Sequence, residues 1–314
     1  MPSVGQLERK TQNRVVELFR DELKYDYLGN WEERVGNRNV EEELLSNFLK
    51  QKQRYHDSLI TRALFELNKA AGNTAQSIYD RNKAVYSLLR YGVQVKADVG
   101  DTKETVWLID WEKPENNHFA IAEEVTVAAA TDKAHPKRPD VVLYVNGIAL
   151  GVLELKRSTI AVSEGIRQNL DNQKKVFIEH FFSTVQWIMA GNDTEGLRYG
   201  TIQTPEKYYL TWKEADQSLL TSSPPKTEGL LDTALLQLCN KKRFLELIHD
   251  FIVFDAGTKK LCRHNQYFGV RAAQDHVKRR EGGIIGTPRA LAKASPWSGS
   301  PNGFGSTPKT PASC

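Results

Sequence analysis

Three residues in the middle of the chain, Asp140, Glu154 and Lys156, have the types and spacing that phosphodiester hydrolysis needs. Glu154 and Lys156 lie two positions apart in a β-rich run, so on a strand both side chains point to the same face of the sheet. Two carboxylates can hold Mg²⁺, a hard cation that prefers oxygen ligands and that can polarise a phosphate. A lysine ammonium can orient an attacking water and favour its deprotonation. The sequence therefore predicts a catalytic centre of these three residues, with Asp140 and Glu154 as the metal ligands.

Whether the three side chains meet depends on the register of the hairpin that carries them. Asn146-Gly147 lies between two β-rich runs and is a strong signal for a two-residue turn. With such a turn and a regular ladder, Asp140 would lie opposite Leu153 and would face away from Glu154. One extra residue, in a three-residue loop or in a β-bulge, would place Asp140 across from Glu154. We therefore predict that the extra residue exists.

The elements around this hairpin predict a mixed sheet flanked by helices. Apolar residues recur at helical spacing in four segments of the N-terminal part: residues 4–28, 40–54, 59–71 and 74–91. Strand-like runs and one further helix follow, with strands at 105–109, 120–127, 184–190 and 208–212 and the helix at 163–176. This order predicts an α/β fold, more narrowly an α+β mixed sheet behind a helical N-terminal part.

Bulk properties narrow the class of protein. With 40% hydrophobic and 26% charged residues, the 314-residue chain has an ordinary globular composition and room for two domains. No apolar run reaches the roughly 20 residues of a membrane span, and the polar N-terminus lacks the apolar core of a signal peptide, so we predict a cytoplasmic protein. The three cysteines lack the spacing of a metal site. The net charge of +4 includes three basic residues and no acid after residue 285, so global charge says little about nucleic acid.

The residues around the hairpin resemble a known family of nucleases. Pro139-Asp140 followed by Glu154-Leu155-Lys156 matches the PD-(D/E)xK pattern. The wider sequence resembles the N-terminal nuclease domain of the restriction (R) subunit of type I restriction–modification enzymes. That resemblance spans residues 5–285 and includes Asn116-Asn117-His118-Phe119, residues 138–147 and 153–156, Gly165-Ile166-Arg167-Gln168 and residues 191–201.

The resemblance implies a restriction-endonuclease-like core that cleaves double-stranded DNA. Asp140 and Glu154 resemble the metal-binding acids of the family, and Lys156 resembles its catalytic lysine. The family further implies Mg²⁺ and ATP as cofactors, with ATP driving translocation along DNA. Its partners would be a modification (methyltransferase) subunit and a specificity subunit that reads the DNA sequence, with no membrane involved.

Four further residues matter to this comparison. Gln168 matches the first position of a Gln-x-x-x-Tyr motif and is a candidate DNA contact, with a solvated helix residue as the alternative. Asn172 stands where the tyrosine is expected, a departure from the family pattern. Gln266, in Arg263-His264-Asn265-Gln266-Tyr267-Phe268, resembles the adenine-recognition segment of the motor domain, with a polar helix start as the alternative. Glu17, on the first helix, is the candidate for a third acid near the metal.

The resemblance also predicts a division of the chain. Residues 1–220 form the nuclease domain, residues 221–285 a linker and the start of a truncated helicase-like motor domain, and residues 286–314 a disordered tail rich in Pro, Ser and Gly. No Gly-Lys-Ser or Gly-Lys-Thr occurs, so the phosphate-binding loop of the motor is missing and we predict no ATP hydrolysis by this chain.

Three hypotheses about function follow. The first is a Mg²⁺-dependent endonuclease acting within a restriction–modification complex. The second is a catalytically silent remnant that binds DNA or partner subunits. The third, an unrelated ATP-binding module, is disfavoured by the missing phosphate-binding loop.

Overall fold

A computed structural model describes residues 4–98, 100–131, 134–214 and 229–283 of the chain. Its centre is a six-stranded mixed sheet. In chain order these strands are β1 (Asp26–Asn30), β4 (Phe119–Glu123), β5 (Val141–Val145), β6 (Ile148–Leu155), β7 (Trp187–Asn192) and β8 (Gly196–Gly200), and the same order holds across the sheet. β1 and β4 run parallel, as do β6 and β7, and the other neighbouring pairs are antiparallel. The predicted mixed sheet is therefore confirmed.

Helices and two small hairpins complete the described residues. The helices are α1 (Val4–Asp21), α2 (Glu42–Gln51), α3 (Asp57–Gly72), α4 (Ile78–Tyr91), α5 (Val162–Asn172), α6 (Leu230–Leu238), α7 (Lys241–Asp250) and α8 (His264–Lys278). The hairpins pair β2 (Val93–Val95) with β3 (Glu104–Val106), and β9 (Ile252–Asp255) with β10 (Thr258–Leu261). No helix among the described residues is long and apolar enough to cross a membrane.

The central strands are covered on both faces. Every residue of β4, β5, β6 and β7 is buried, which explains why their sequences read as continuous apolar runs. α5 is the crossover between the parallel strands β6 and β7, and it packs on both of them. A hydrophobic cluster that packs on the sheet includes Trp31, Tyr144, Phe181 and Phe182. The central hairpin thus lies in the most buried part of the fold.

The turn between β5 and β6 is held by its own side chain. Asn146 and Gly147 have φ angles of 52° and 82°, as the predicted two-residue turn requires. A Cβ atom on Gly147 would lie 2.6 Å from the carbonyl oxygen of Glu41, so this position excludes a side chain. The buried Asn146 amide donates to the Leu108 carbonyl and accepts a hydrogen bond from the His118 backbone. This turn therefore anchors one end of the hairpin.

Several predicted elements are wrong in type or extent. The first helix ends at Asp21 rather than near residue 28, and the chain then enters β1. β1 was missed because its five residues, Asp26-Tyr27-Leu28-Gly29-Asn30, are mostly exposed and lack regular alternation. The strand predicted at 208–212 is reduced to one bridge between Leu210 and Tyr199, preceded by a short 3₁₀ helix.

The described residues form two compact units, the first ending at His264 and the second beginning at Asn265. The first unit therefore extends past the predicted domain boundary at residue 220. It does so because α6, with Leu231 and Leu235 fully buried, packs against α1 and β8. The predicted tail at 286–314 and linker residues 221–228 lie outside the described residues.

Candidate active site

A β-bulge in the central hairpin sets the position of Asp140. Tyr144 pairs with Ala149, but Leu143 pairs with Gly151, so Leu150 is an extra residue on β6. Beyond the bulge Val141 pairs with Leu153, which puts Asp140 across from Glu154. The predicted extra residue is confirmed, and it is a bulge behind a two-residue turn rather than a longer loop.

Hydrogen bonds and charge interactions connect the three predicted site residues. Asp140 Oδ2 accepts from the Leu155 backbone N–H at 2.6 Å, and the Asp140 and Glu154 carboxyl groups lie close enough to interact electrostatically. Lys156 Nζ donates to Glu154 Oε1 at 3.0 Å. The two acids and the lysine therefore form one connected group.

Burial dominates the electrostatics of the two acids. It raises the pKa of Asp140 to about 6, although the Lys156 ammonium and the Leu155 N–H oppose that shift. Burial and then the neighbouring Asp140 carboxylate raise the pKa of Glu154 well above its usual value. Without a further cation, burial therefore favours a proton on one of the two carboxyls. A divalent cation would replace that proton and let both acids ionise.

The three residues open onto one cleft of about 430 Å³. Its remaining lining residues come from α1, from the segments before and after the hairpin, and from α5: Arg9, Gln12, Glu124, Pro136, Lys137, Arg138, Gln168 and Asn172. The lining is rich in cations and amides, which suits an anionic ligand. The candidate active site is therefore the whole cleft, which includes Asp140, Glu154 and Lys156 and the residues that line it with them.

Gly165 lets α5 approach Glu154 and Lys156 closely. A Cβ atom at this position would lie 3.2 Å from Ala190 Cβ, 3.4 Å from Glu154 Cγ and 3.5 Å from Lys156 Cγ. A Cβ alone would make ordinary contact with Glu154 and Lys156, and a longer side chain would press on both. The helix backbone thus forms one wall of the site.

Two amides of α5 line the cleft. Gln168 lies there, at the place expected of a DNA contact, although its role stays a prediction. Asn172 is 1% exposed, and neither its Nδ2 nor its Oδ1 has a hydrogen-bond partner. A buried amide without partners costs stability, so such groups are retained where they serve a ligand or an ordered water. Asn172 therefore belongs to the polar wall of the cleft.

The structure places other predicted residues elsewhere. Glu17 is exposed on α1 and does not line the cleft. Glu124 does line it, and its carboxylate pairs with Arg9 and Arg138 at 3.3 and 2.8 Å. Gln266 lies on the first turn of α8 in the second compact unit, and its nucleotide-binding role stays a prediction.

Sequence reasoning missed Arg9, Gln12, Glu124, Lys137 and Arg138. Lys137 and Arg138 directly precede Pro139-Asp140, so their position in the chain was a usable signal. Arg9, Gln12 and Glu124 are distant in sequence from the motif. Arg9 and Gln12 reach the cleft because α1 packs on β4 and β6, and Glu124 reaches it because β4 pairs with β5.

The donor set fits a single hard cation. Glu154 is fully buried, and its Oε2 has no hydrogen-bond partner. Asp140 supplies a second carboxylate next to it, and oxygen donors of this kind suit Mg²⁺. Asp140 and Glu154 would be the protein ligands. Among the described residues no group of three or more His, Cys, Asp or Glu side chains could hold a metal ion.

The sequence matches known proteins over the part that builds this cleft. The family model of the type I restriction enzyme R protein N terminus matches residues 5–207. The HindI type I restriction enzyme endonuclease subunit of Haemophilus influenzae is 28% identical over 204 residues, covering 62% of this chain and 19% of that protein. A Methanocaldococcus jannaschii protein named as the endonuclease subunit of the MjaIXP type I enzyme is 24% identical over 214 residues, covering 63% and 20%. The chain thus spans about a fifth of the length of these relatives. It belongs to the family of the type I restriction enzyme R protein N terminus.

Proposed function

We propose that this chain carries the DNA-cleaving centre of a type I restriction enzyme, with Asp140, Glu154 and Lys156 as its catalytic residues. The observation that carries the proposal is the bulge at Leu150, which brings Asp140 across from Glu154 at the floor of a cation-lined cleft. Without the bulge, the two acids would face opposite sides of the sheet. The substrate would be the phosphodiester backbone of double-stranded DNA.

Asp140 and Glu154 would hold Mg²⁺ through their carboxylate oxygens, including the Glu154 Oε2 that has no other partner. The cation, when bound, would polarise the phosphate and stabilise the leaving oxygen. Lys156 holds Glu154 Oε1 in place, and its ammonium would orient the attacking water and favour loss of its proton. Gln168 would contact the bound strand from α5.

The relatives are named as endonuclease subunits, which supports a role within a restriction–modification complex. We therefore propose modification and specificity subunits as partners, with the DNA target chosen by the specificity subunit. ATP-driven translocation would belong to that assembly. We predict that this chain does not itself hydrolyse ATP.

Nicking of supercoiled plasmid in Mg²⁺ or Mn²⁺ tests the proposal. Wild type is compared with Lys156→Ala and with Lys69→Ala, a matched loss of one lysine from the exposed side of α3. We expect wild type and Lys69→Ala to nick and Lys156→Ala to be inactive while folded. Equal nicking by all three would contradict the site assignment.

The catalytically silent alternative predicts a different result. In that case none of the three proteins nicks, alone or with modification and specificity subunits added, although all fold and bind DNA. The orphaned Glu154 Oε2 favours the nuclease, because a remnant without metal chemistry has no need of a buried carboxylate without a partner.

A further inference from the structure

A second concavity adjoins the active-site cleft. It is a groove of about 920 Å³ that shares Lys156 and Gln168 with the cleft and continues along the exposed side of α5. We call it the α5 groove, and its charged lining residues beyond Lys156 are Arg157, Glu164, Arg167, Asp171 and Lys174. Because the two concavities meet at a catalytic residue, a polymer lying in one can continue into the other.

Cations outnumber acids in the α5 groove. Lys156, Arg157, Arg167 and Lys174 face two acids there, Glu164 and Asp171. The side chain of Arg157 has no ion-pair partner among the described residues. A concave surface with this excess of positive charge attracts a polyanion.

The acidic side chains of the groove form ion pairs with its basic side chains and leave them exposed to solvent. Arg167 pairs with Glu164 at 2.6 Å and with Glu206 at 2.9 Å, yet its side chain remains 54% exposed. Lys174 pairs with Asp171 at 2.6 Å and remains 63% exposed. Exposed pairs of this kind are weak, so both cations can exchange a carboxylate for a phosphate.

Asp171 connects the cations of the two concavities. Its carboxylate binds Lys174 in the groove and also Lys137 in the cleft, at 2.9 Å. These two lysines hold the pKa of Asp171 below its usual value, so it stays ionised. One carboxylate, that of Asp171, therefore links a basic residue of the cleft to a basic residue of the groove.

We propose that the α5 groove binds the phosphate backbone of DNA beyond the point of cleavage, an inference that rests on the proposed function. Arg167 lies on α5, and Lys174 follows two residues after the helix ends at Asn172. The helix alone rises about 7.5 Å from Arg167 to its end. Duplex DNA carries about four phosphate charges over that length, enough to pair with both residues and with Arg157. These contacts read no sequence, as expected for a subunit that leaves target choice to a partner.

The test measures binding of the whole chain to a fluorescent 30-base-pair duplex in EDTA, where no cleavage occurs, over a series of salt concentrations. The variant replaces Arg157, Arg167 and Lys174 together by Gln. A control replaces Arg62, Lys69 and Lys83 together by Gln. These three exposed basic residues of α3 and α4 lie outside both concavities, so the net charge changes by the same amount as in the groove variant. Because Arg167 also ties α5 to Glu206, Arg157→Gln alone serves as a second variant that breaks no ion pair.

The slope of log affinity against log salt decides the result. Each phosphate contact contributes about 0.9 to that slope, so the groove variant should lose about 2.7 and Arg157→Gln about 0.9, with at least tenfold weaker binding by the triple variant at low salt. The control should lose less than 1. Equal slopes for the groove variant and the control would overturn the proposal and leave an acidic protein surface as the occupant of the groove. Because this binding measurement needs no catalysis, failure of the wild-type chain to nick plasmid would count against the proposed function and not against the groove.

Discussion

The Asp140 carboxylate accepts a hydrogen bond from the main-chain N–H of Leu155, with 2.6 Å between Oδ2 and N. Asp140 immediately precedes β5 and Leu155 ends β6, so this bond closes the hairpin at the end opposite its turn. It also orients the aspartate beside Glu154, the residue before Leu155. The position of one acid is therefore set by the backbone next to the other, and the bulge at Leu150 makes that contact possible.

Metal binding should stabilise the fold through Glu154. At a hundred times its dissociation constant, Mg²⁺ or Mn²⁺ should raise the free energy of unfolding by about 2.7 kcal/mol in wild type. Glu154→Gln should lose this response, and without metal it should be at least as stable as wild type, because it removes a carboxylate whose ionisation burial disfavours. Thermal unfolding with and without metal measures both effects. Glu66→Gln, on α3, is the control that should keep the response, and an undiminished response in Glu154→Gln would argue against a metal at this site.

Because α5 lies close to Glu154 and Lys156, we expect that position 165 does not tolerate a bulky side chain. Gly165→Leu should overpack the wall of the cleft, cost about 1–3 kcal/mol of stability and displace Glu154 and Lys156. We expect nicking to fall at least tenfold in protein that is still folded by circular dichroism. Gly72→Ala is the control, because a Cβ there meets no atom within 4 Å. Full activity of Gly165→Leu would show that the helix does not position the catalytic pair.

The buried amide of Asn172 should lower the stability of the fold. Replacing Asn172 by leucine should recover that stability. Asn172→Leu removes a buried donor and acceptor that have no partners, so it should leave the free energy of unfolding unchanged or raise it by about 1 kcal/mol. Asn169→Leu should instead destabilise, because Asn169 Nδ2 donates to the Met189 carbonyl at 3.0 Å. Urea unfolding of the two variants makes the comparison. If both lose the same stability, Asn172 has a structural role in the fold.

Lys259 should make stability depend on pH. Its ammonium is buried, donates to Asn82 Oδ1 at 2.8 Å and to Gln186 Oε1 at 2.6 Å, and burial lowers its pKa well below 10.5. The unfolded chain therefore binds the proton more tightly than the folded chain, so stability should rise with pH between the folded pKa and about 10.4.

Within that window the slope should approach about 1.4 kcal/mol per pH unit. The penalty is absent above the unfolded pKa and complete once the pH falls below the folded pKa. Urea unfolding of wild type and Lys259→Met at several alkaline pH values isolates the contribution, because Met cannot titrate. Parallel curves for the two proteins would mean that Lys259 titrates normally in the fold.

The sequence by itself indicated the candidate chemistry and determined the local geometry of the site. The residue types at 140, 154 and 156, the Asn146-Gly147 turn and the two-residue periodicity of strands sufficed to deduce that one extra residue was needed in the hairpin. These features are local, because turn conformation and strand alternation depend on neighbouring residues. The need for the extra residue followed from chemistry, since two acids on opposite faces of a sheet cannot share a cation.

Only the tertiary structure decided where that residue lies and what surrounds the catalytic group. The bulge occurs at Leu150, where Gly151 lets β6 pass close to Leu143, with 3.2 Å between the Cβ position of Gly151 and that of Leu143. The edge strand β1 and the arrival of Arg9 and Glu124 at the cleft also escaped the sequence. Each depends on packing between segments more than ninety residues apart, and such contacts leave no periodic trace in the chain.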